Sequence, residues 1–449
     1  MGKRIDLTQG KISHHVLRML GPFTISIIAI VSAGVVDTIY LGHISIEALA
    51  MMGFCFPIIY LLNSVNIGLG AGALSAISRA IGQKEFSRAK RQAAAAIILA
   101  LIILSILAVF AGLFLSGFLD FMGAKADTKP LALVYMKYAL PALVIVSIPM
   151  MANNVLRAYG EAVLPSTITL SAAFFNIIID PFLIFGIGPF PRLEVEGAAI
   201  ATLIANSMAA LYGLYLLNFH RRALKFVGIT WRNISQTWTQ VGRVGFPASL
   251  SHAVVPVAAY FATTIIGRSF GTEEVAAYTL TARTEMLAIT VLYALSASIG
   301  ALTGQNGGAG LTGRVRETFV FCFKVCVAWS LIIAVPMALL AGIIPRAFTD
   351  NAHVIALAKP YFWIVPITIS GYGFVFVSAA GFNALGRPGY GLSFTIIRSL
   401  ALYVPFIGIG VITYGMTGAF IGIALANIIS GLLSYYITFH RASMEAVHH

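Results

Sequence analysis

Two carboxylates stand inside apolar runs where a chain of this kind has few charges. Asp37 lies in GVVDTIYLGH, residues 34–43, and Asp180 lies in NIIIDPF, residues 176–182; no Lys or Arg adjoins either one. A carboxyl group held away from water favours its protonated form, and a second carboxyl beside it favours that form further. Two such groups can hold a proton between them and release it when water enters. Asn176 precedes Asp180 by four residues, so a helix places the amide and the carboxyl on one face. Ionised, the same oxygens could instead hold Na+, a hard cation that prefers oxygen ligands. A basic partner would pin Asp37 as a permanent anion, and its absence leaves the group free to exchange a proton or an ion.

The elements that must position these groups follow from composition. Of 449 residues, 59% are hydrophobic and only 10% charged, with a mean hydropathy of +0.90. Residues 92–119 carry no charge and are long enough to cross about 30 Å of hydrocarbon as a helix. The ten-residue alternation of a membrane barrel is missing. The expectation is an all-α membrane protein. Turn residues and charge clusters divide it into twelve spans, at 15–42, 46–74, 91–116, 130–157, 164–188, 195–219, 240–268, 273–302, 316–343, 354–384, 390–413 and 415–440.

Lys and Arg concentrate in alternate loops. Nineteen fall on one side, including Lys3, Arg4, Arg79, Arg88, Arg157, Arg221, Arg314, Arg387 and Arg441; six fall on the other, namely Lys125, Lys129, Arg192, Arg268, Arg346 and Lys359. The rule that basic loops stay inside puts both termini in the cytoplasm. It also accounts for the net charge of +13 without nucleic acid. The expected location is a bacterial inner (plasma) membrane, with the bilayer as partner and a monomeric chain. The short basic N-terminus reads as a cytoplasmic lead-in, not as a signal peptide. His448-His449 is given no role. Cys55, Cys322 and Cys326 sit in apolar context and imply neither a disulfide framework nor a metal site.

The two halves resemble each other. Ser78-Arg79-Ala80-Ile81-Gly82-Gln83 follows span 2 and Leu302-Thr303-Gly304-Gln305-Asn306-Gly307 follows span 8. Arg157-Ala158-Tyr159-Gly160 matches Asn383-Ala384-Leu385-Gly386, and Gly197-Ala198 with Ala205-Asn206 matches Gly418-Ala419 with Ala426-Asn427. The expected organisation is an N-lobe over 1–220, a cytoplasmic linker over 221–239 and a C-lobe over 240–449. Two six-helix lobes of one orientation imply a pseudo-two-fold axis along the membrane normal and a cavity between lobes, a transporter architecture.

Depth follows from the helical rise. Asp37 comes about 33 Å along span 1 and Asp180 about 24 Å along span 5, both in the outer half. Tyr135, Tyr138 and Thr202, entering from outside, lie within about 12 Å of the same surface. Two carboxylates, an amide, a hydroxyl and a phenol could therefore share one level; depth alone does not give azimuth. The second half has no counterpart: Asp180-Pro181 maps to Val404-Pro405. Pro22 removes a backbone hydrogen bond early in span 1 and permits a bend.

Weaker candidates surround this set. Glu285 could serve a second cation site, and Arg283, two residues away, points to another face. Asn153, Asn154, Asn206 and Asn427 read more simply as interhelical hydrogen-bonding groups. Arg398 reads as a donor to carbonyls, and His252 as a packing residue. No G-x-x-x-x-G-K-[ST], no H-E-x-x-H and no nucleophile constellation occurs, so neither ATP-driven transport by this chain nor catalysis is expected, and no cofactor is implied.

Asp37-Thr38 with Gly42-His43, Arg157-Ala158-Tyr159-Gly160 and Gly304-Gln305-Asn306-Gly307 together resemble the marks of the multidrug and toxic compound extrusion family, over essentially the whole chain. Asp37, Asn176 and Asp180 resemble the polar cluster of its DinF subfamily, and Pro22 resembles that subgroup's bending proline. Tyr135 and Thr202 carry over to the same cluster. The chain departs from the NorM-type pattern, since spans 7 and 10 lack an acid. The resemblance implies export of amphipathic or cationic drugs by antiport with H+, with Na+ the lesser alternative. A flippase for lipid-linked oligosaccharides on the same scaffold is the rival. Its cavity would be rich in Arg and Lys, and only Arg283, Arg398, Lys137 and Lys324 are available. An intramembrane lipid enzyme ranks below both.

Overall fold

The computed structural model describes residues 5–124, 127–225 and 230–445. Lys3, Arg4, Lys125 and the terminal His pair lie outside the described residues. Among the described residues every regular element is helical. The long helices are α1 (Ile12–Gly42), α2 (Ile46–Gly82), α3 (Phe86–Phe121), α4 (Lys129–Ala158), α5 (Val163–Phe185), α6 (Glu194–Tyr215) and α7 (Trp231–Ser269). They continue as α8 (Thr272–Ala288), α9 (Thr290–Gly308), α10 (Thr312–Leu339), α11 (Ala352–Ile364), α12 (Ile369–Ala384), α13 (Pro388–Ile396) and α14 (Val404–Glu445).

Ten of these stretches are long and apolar enough to cross a membrane singly. The pair α8–α9, bent by 42°, makes an eleventh. The last stretch, Pro388–Arg441, holds two spans, because Tyr414 (φ −135°) and Gly415 (φ 63°, ψ −144°) leave the helical region inside it. Gly415 supplies the left-handed turn that a side chain would strain. With that break the expected twelve spans are all present. The bend after Ala288 also has a local cause. Ile289 sits at ψ 0°, and the neighbouring Ala288 carbonyl accepts a hydrogen bond from Trp329 Nε1 at 2.8 Å, a side chain inserted at the break. Helix α7 starts at Trp231, within the stretch expected as linker. Trp238 Nε1 donates to the Ala95 carbonyl at 3.0 Å and Gln92 Nε2 to Gln240 Oε1 at 3.0 Å, so this end is anchored on α3.

The chain divides into two compact units. The first holds Ile25–Ser249, and the second holds Leu7–Thr24 with Leu250 onward. The division of α1 falls between Thr24 and Ile25, within one turn of Pro22. In the first unit α4 is central, packed by α2, α3, α5 and α6. In the second, α12 takes that place among α9, α10, α13 and α14. Small residues permit the close approaches, as expected where lipid supplies no hydrophobic drive between helices. A Cβ at Gly72 of α2 would collide with the Val241 carbonyl of α7. One at Gly70 would meet Asn154 Nδ2 at 2.5 Å.

Helix α13 passes into a π-helical segment, Ile397–Tyr403, before α14. Its turns close at i+5, so residues five apart stand one above another. In an α-helix, at about 100° per residue, they would diverge by roughly 140°. The segment therefore aligns Arg398 with Tyr403.

Candidate functional site

The first unit gathers the acidic set. Asp180 on α5 is fully buried, and its Oδ1 accepts a hydrogen bond from Asn176 Nδ2 at 3.3 Å, one turn away. The same nitrogen lies 3.4 Å from Thr202 Oγ1 on α6, whose own hydroxyl donates to the Ala198 carbonyl at 3.0 Å. Asp37 on α1 brings its carboxyl within hydrogen-bonding reach of Asp180. Tyr135 on α4 is buried and close enough to feel the charge of both. Asp37 Oδ1 and Asp180 Oδ2 are each buried and accept no hydrogen bond from any donor among the described residues.

That arrangement is chemically specific. Two ionised carboxylates are acceptors only, so a hydrogen bond between them requires a proton. One bound proton would satisfy both orphaned oxygens. A small cation among the carboxyl, amide and hydroxyl oxygens would do so too. Among the described residues no group of three or more His, Cys, Asp or Glu surrounds a point as a transition-metal site would.

The other sequence candidates separate. Tyr138 is half-buried and has Lys137 Nζ 5.2 Å from its ring centroid, with no bond to the acidic pair. Asn153 Nδ2 donates to Thr169 Oγ1 at 3.1 Å, joining α4 to α5, and Asn154 Nδ2 donates within α4 to the Met150 carbonyl at 2.9 Å. Arg283 is exposed. Cys55 on α2, which the sequence offered only as an apolar residue, is a neighbour of Tyr135 in the acidic cluster, with its thiol 3.4 Å from Met51 Sδ. Only the packing of α2 beside α4 reveals it.

Glu285 belongs to a separate cluster in the second unit. Its carboxyl lies near the Tyr361 hydroxyl and feels Arg398, and that hydroxyl, itself buried, has no hydrogen-bond partner among the described residues. The hydroxyls of Tyr278 and Tyr403 meet at 2.8 Å. Arg398, 4% exposed, lays its guanidinium on the Tyr372 ring, 3.1 Å from the centroid. Its Nε and Nη2 donate to Asn427 Oδ1 at 3.2 and 3.0 Å, and Asn427 Nδ2 donates to Thr368 Oγ1 at 3.3 Å. Arg398 thus bonds to a side-chain amide and not to the backbone carbonyls expected of it.

The comparisons with known proteins agree with the internal duplication. The MatE family model matches twice, over residues 22–182 and 247–409. The FAD transporter of Shewanella oneidensis is 29% identical over 437 residues, covering 97% of this chain and 96% of its own. The probable multidrug resistance protein NorM of Thermotoga maritima is 25% identical over 418 residues, covering 88% and 85%. The Vibrio cholerae MATE transporter VcmN, solved in a bent form, superposes with a TM-score of 0.91 at 27% identity over 97% of this chain and 98% of its own. With both halves matched by one family model and the whole architecture shared with a solved transporter, the chain belongs to the MatE family of membrane transporters.

Proposed function

We propose that this MATE transporter is a secondary active exporter of amphipathic or cationic small molecules, driven by antiport with H+. The observation that carries the reading is the Asp37–Asp180 pair, with one buried oxygen on each that no donor among the described residues reaches. A proton entering from outside removes one of the pair's two charges and supplies the missing donor. Its departure restores two like charges in a water-poor site, which only water or a cation can relieve. Cargo release and proton loading are then linked through α1, where Pro22 leaves the Arg18 carbonyl without its helical partner and lowers the cost of bending. Asn176, Thr202 and Tyr135 set the hydrogen bonds that differ between the two protonation states. Na+ at Asp37, Asn176 and Asp180 is the lesser alternative for the coupling ion. The chain sits in a bacterial inner membrane with both termini cytoplasmic, in keeping with its basic loops.

The test is efflux of a fluorescent cation from vesicles, with a pH or a Na+ gradient imposed in turn. Asp37→Asn and Asp180→Asn should each lower gradient-driven efflux at least tenfold while leaving the protein folded. Full activity in both variants would sink the reading, and response to the Na+ gradient alone would transfer it to the alternative ion. The similarity to the FAD transporter over nearly the full chain makes flavin dinucleotide a cargo to assay in the same vesicles.

A further inference from the structure

The second unit holds an acid and a base in one cluster, Arg398 buried and Glu285 half-buried, that do not pair. No ion pair joins Glu285 to Arg398, although the carboxyl feels the guanidinium. Burying two charges apart costs several kcal/mol unless something completes each one. The buried Tyr361 hydroxyl beside Glu285 has no hydrogen-bond partner among the described residues. Arg398 spends Nε and Nη2 on Asn427 and its face on Tyr372, which leaves Nη1 uncommitted. The guanidinium is therefore immobilised by its back edge with a free corner presented. A side chain placed only for folding would be expected to use that corner.

The surroundings are built for the same purpose. Tyr278 and Glu285 lie seven apart on α8, hence on one face, and Tyr278 reaches across to Tyr403. The π-helical segment turns Arg398 and Tyr403 toward the same side, and such segments recur at functional sites. In the hydroxyl pair one oxygen donates to the other, leaving one O–H to donate elsewhere. The Tyr278 and Tyr403 hydroxyls lie near enough to Glu285 and Arg398 to feel both charges. The cluster thus brings hydroxyl and guanidinium donors together with a carboxylate.

We propose that this cluster is a second ligand site, which takes the head group of a zwitterionic amphiphile, its acidic oxygen on Arg398 Nη1 and its cationic centre at Glu285. The inference deepens the exporter reading by naming a cargo class, and it rests on that reading only for the ligand being cargo. Charge-assisted contacts to a preorganised guanidinium discriminate strongly between an acid and its ester.

The probe pair is a rhodamine dye carrying a free carboxylate and its methyl ester, which keeps the ring and the cation but loses the acid. Binding to purified full-length protein is read by fluorescence anisotropy in a non-ionic detergent, with no gradient. Wild type should bind the free acid roughly tenfold more tightly than the ester. Arg398→Gln should erase that preference while still binding the ester, and Glu285→Gln should weaken both probes alike. Should Arg398→Gln fail to fold, as read by its thermal melt, Tyr403→Phe replaces it and should reduce the preference at least threefold. Equal affinity for acid and ester in wild type overturns the proposal. So does an undiminished preference in whichever of the two variants folds. Asp37→Asn, which tests ion coupling, should leave the acid-over-ester preference intact, so failure of the coupling scheme and failure of this site are distinguishable.

Discussion

Asn176 Nδ2 stands 3.3 Å from Asp180 Oδ1 and 3.4 Å from Thr202 Oγ1, so one amide nitrogen serves both the buried carboxyl and the neighbouring helix. It is the only protein donor to Asp180 among the described hydrogen bonds, and it leaves Oδ2 open. The acidic pair is thus held in place from one side and left chemically unsatisfied on the other.

Removing that donor should matter more than removing the hydroxyl it shares. Asn176→Ala strands a second Asp180 oxygen and should reduce proton-driven efflux about threefold to tenfold, an effect of roughly 1 kcal/mol. Thr202→Val keeps the Asn176–Asp180 bond and should cost less than threefold. Initial efflux rates in vesicles, normalised to protein level, rank the two. The reverse ranking would place the essential contact on α6.

The crossing of α2 and α7 depends on the missing side chain at Gly72. An added Cβ meets the Val241 backbone carbonyl, which has no rotamer to change. Gly72→Ala should destabilise the purified protein by about 1–3 kcal/mol, the usual cost of overpacking. Gly117→Ala on α3 has open space around it and should be neutral. Paired thermal melts in detergent check the contrast.

The Gly304-Gln305-Asn306-Gly307 motif grips the start of the chain. Leu7 N–H donates to Gln305 Oε1 at 3.2 Å, and Asn306 Nδ2 donates to the Leu7 carbonyl at 3.1 Å. Arg314 donates to Asn306 Oδ1 at 2.9 Å, to the Gly10 carbonyl at 2.9 Å and to the Leu7 carbonyl at 3.2 Å. Arg314→Ala should loosen this segment, raising amide hydrogen exchange over residues 7–11 at least tenfold while exchange in α12 stays unchanged. Uniform exchange across both regions would show that Arg314 stabilises the unit as a whole.

Much of the acidic site was legible before the fold was known, and the reason is geometric. Helical rise gives depth from residue number alone, and i,i+4 spacing gives a shared face. Those two rules alone pick out Asp37, Asn176 and Asp180, and depth adds Tyr135 and Thr202. Tyr138 shared the level and failed on azimuth, because nothing in the spacing says which way a span is rotated about its own axis. Cys55 was invisible for the same reason. Asn153 behaves as the interhelical group the sequence suggested, and Asn154 bonds within its own helix.

The second cluster was harder to read. Glu285 and Arg398 were each noticed, yet they lie 113 residues apart on different helices, and nothing in the sequence links them. The π-helical segment decides which face Arg398 and Tyr403 take, and its extra residue per turn leaves no compositional trace. Taken alone, the sequence determined the membrane-spanning class, the twofold internal repeat and the presence of carboxylates at one depth, since these follow from hydrophobic length, motif spacing and rise per residue. Tertiary structure decided which polar groups meet, because contact requires azimuth and backbone irregularity, and both are set by how neighbouring helices pack.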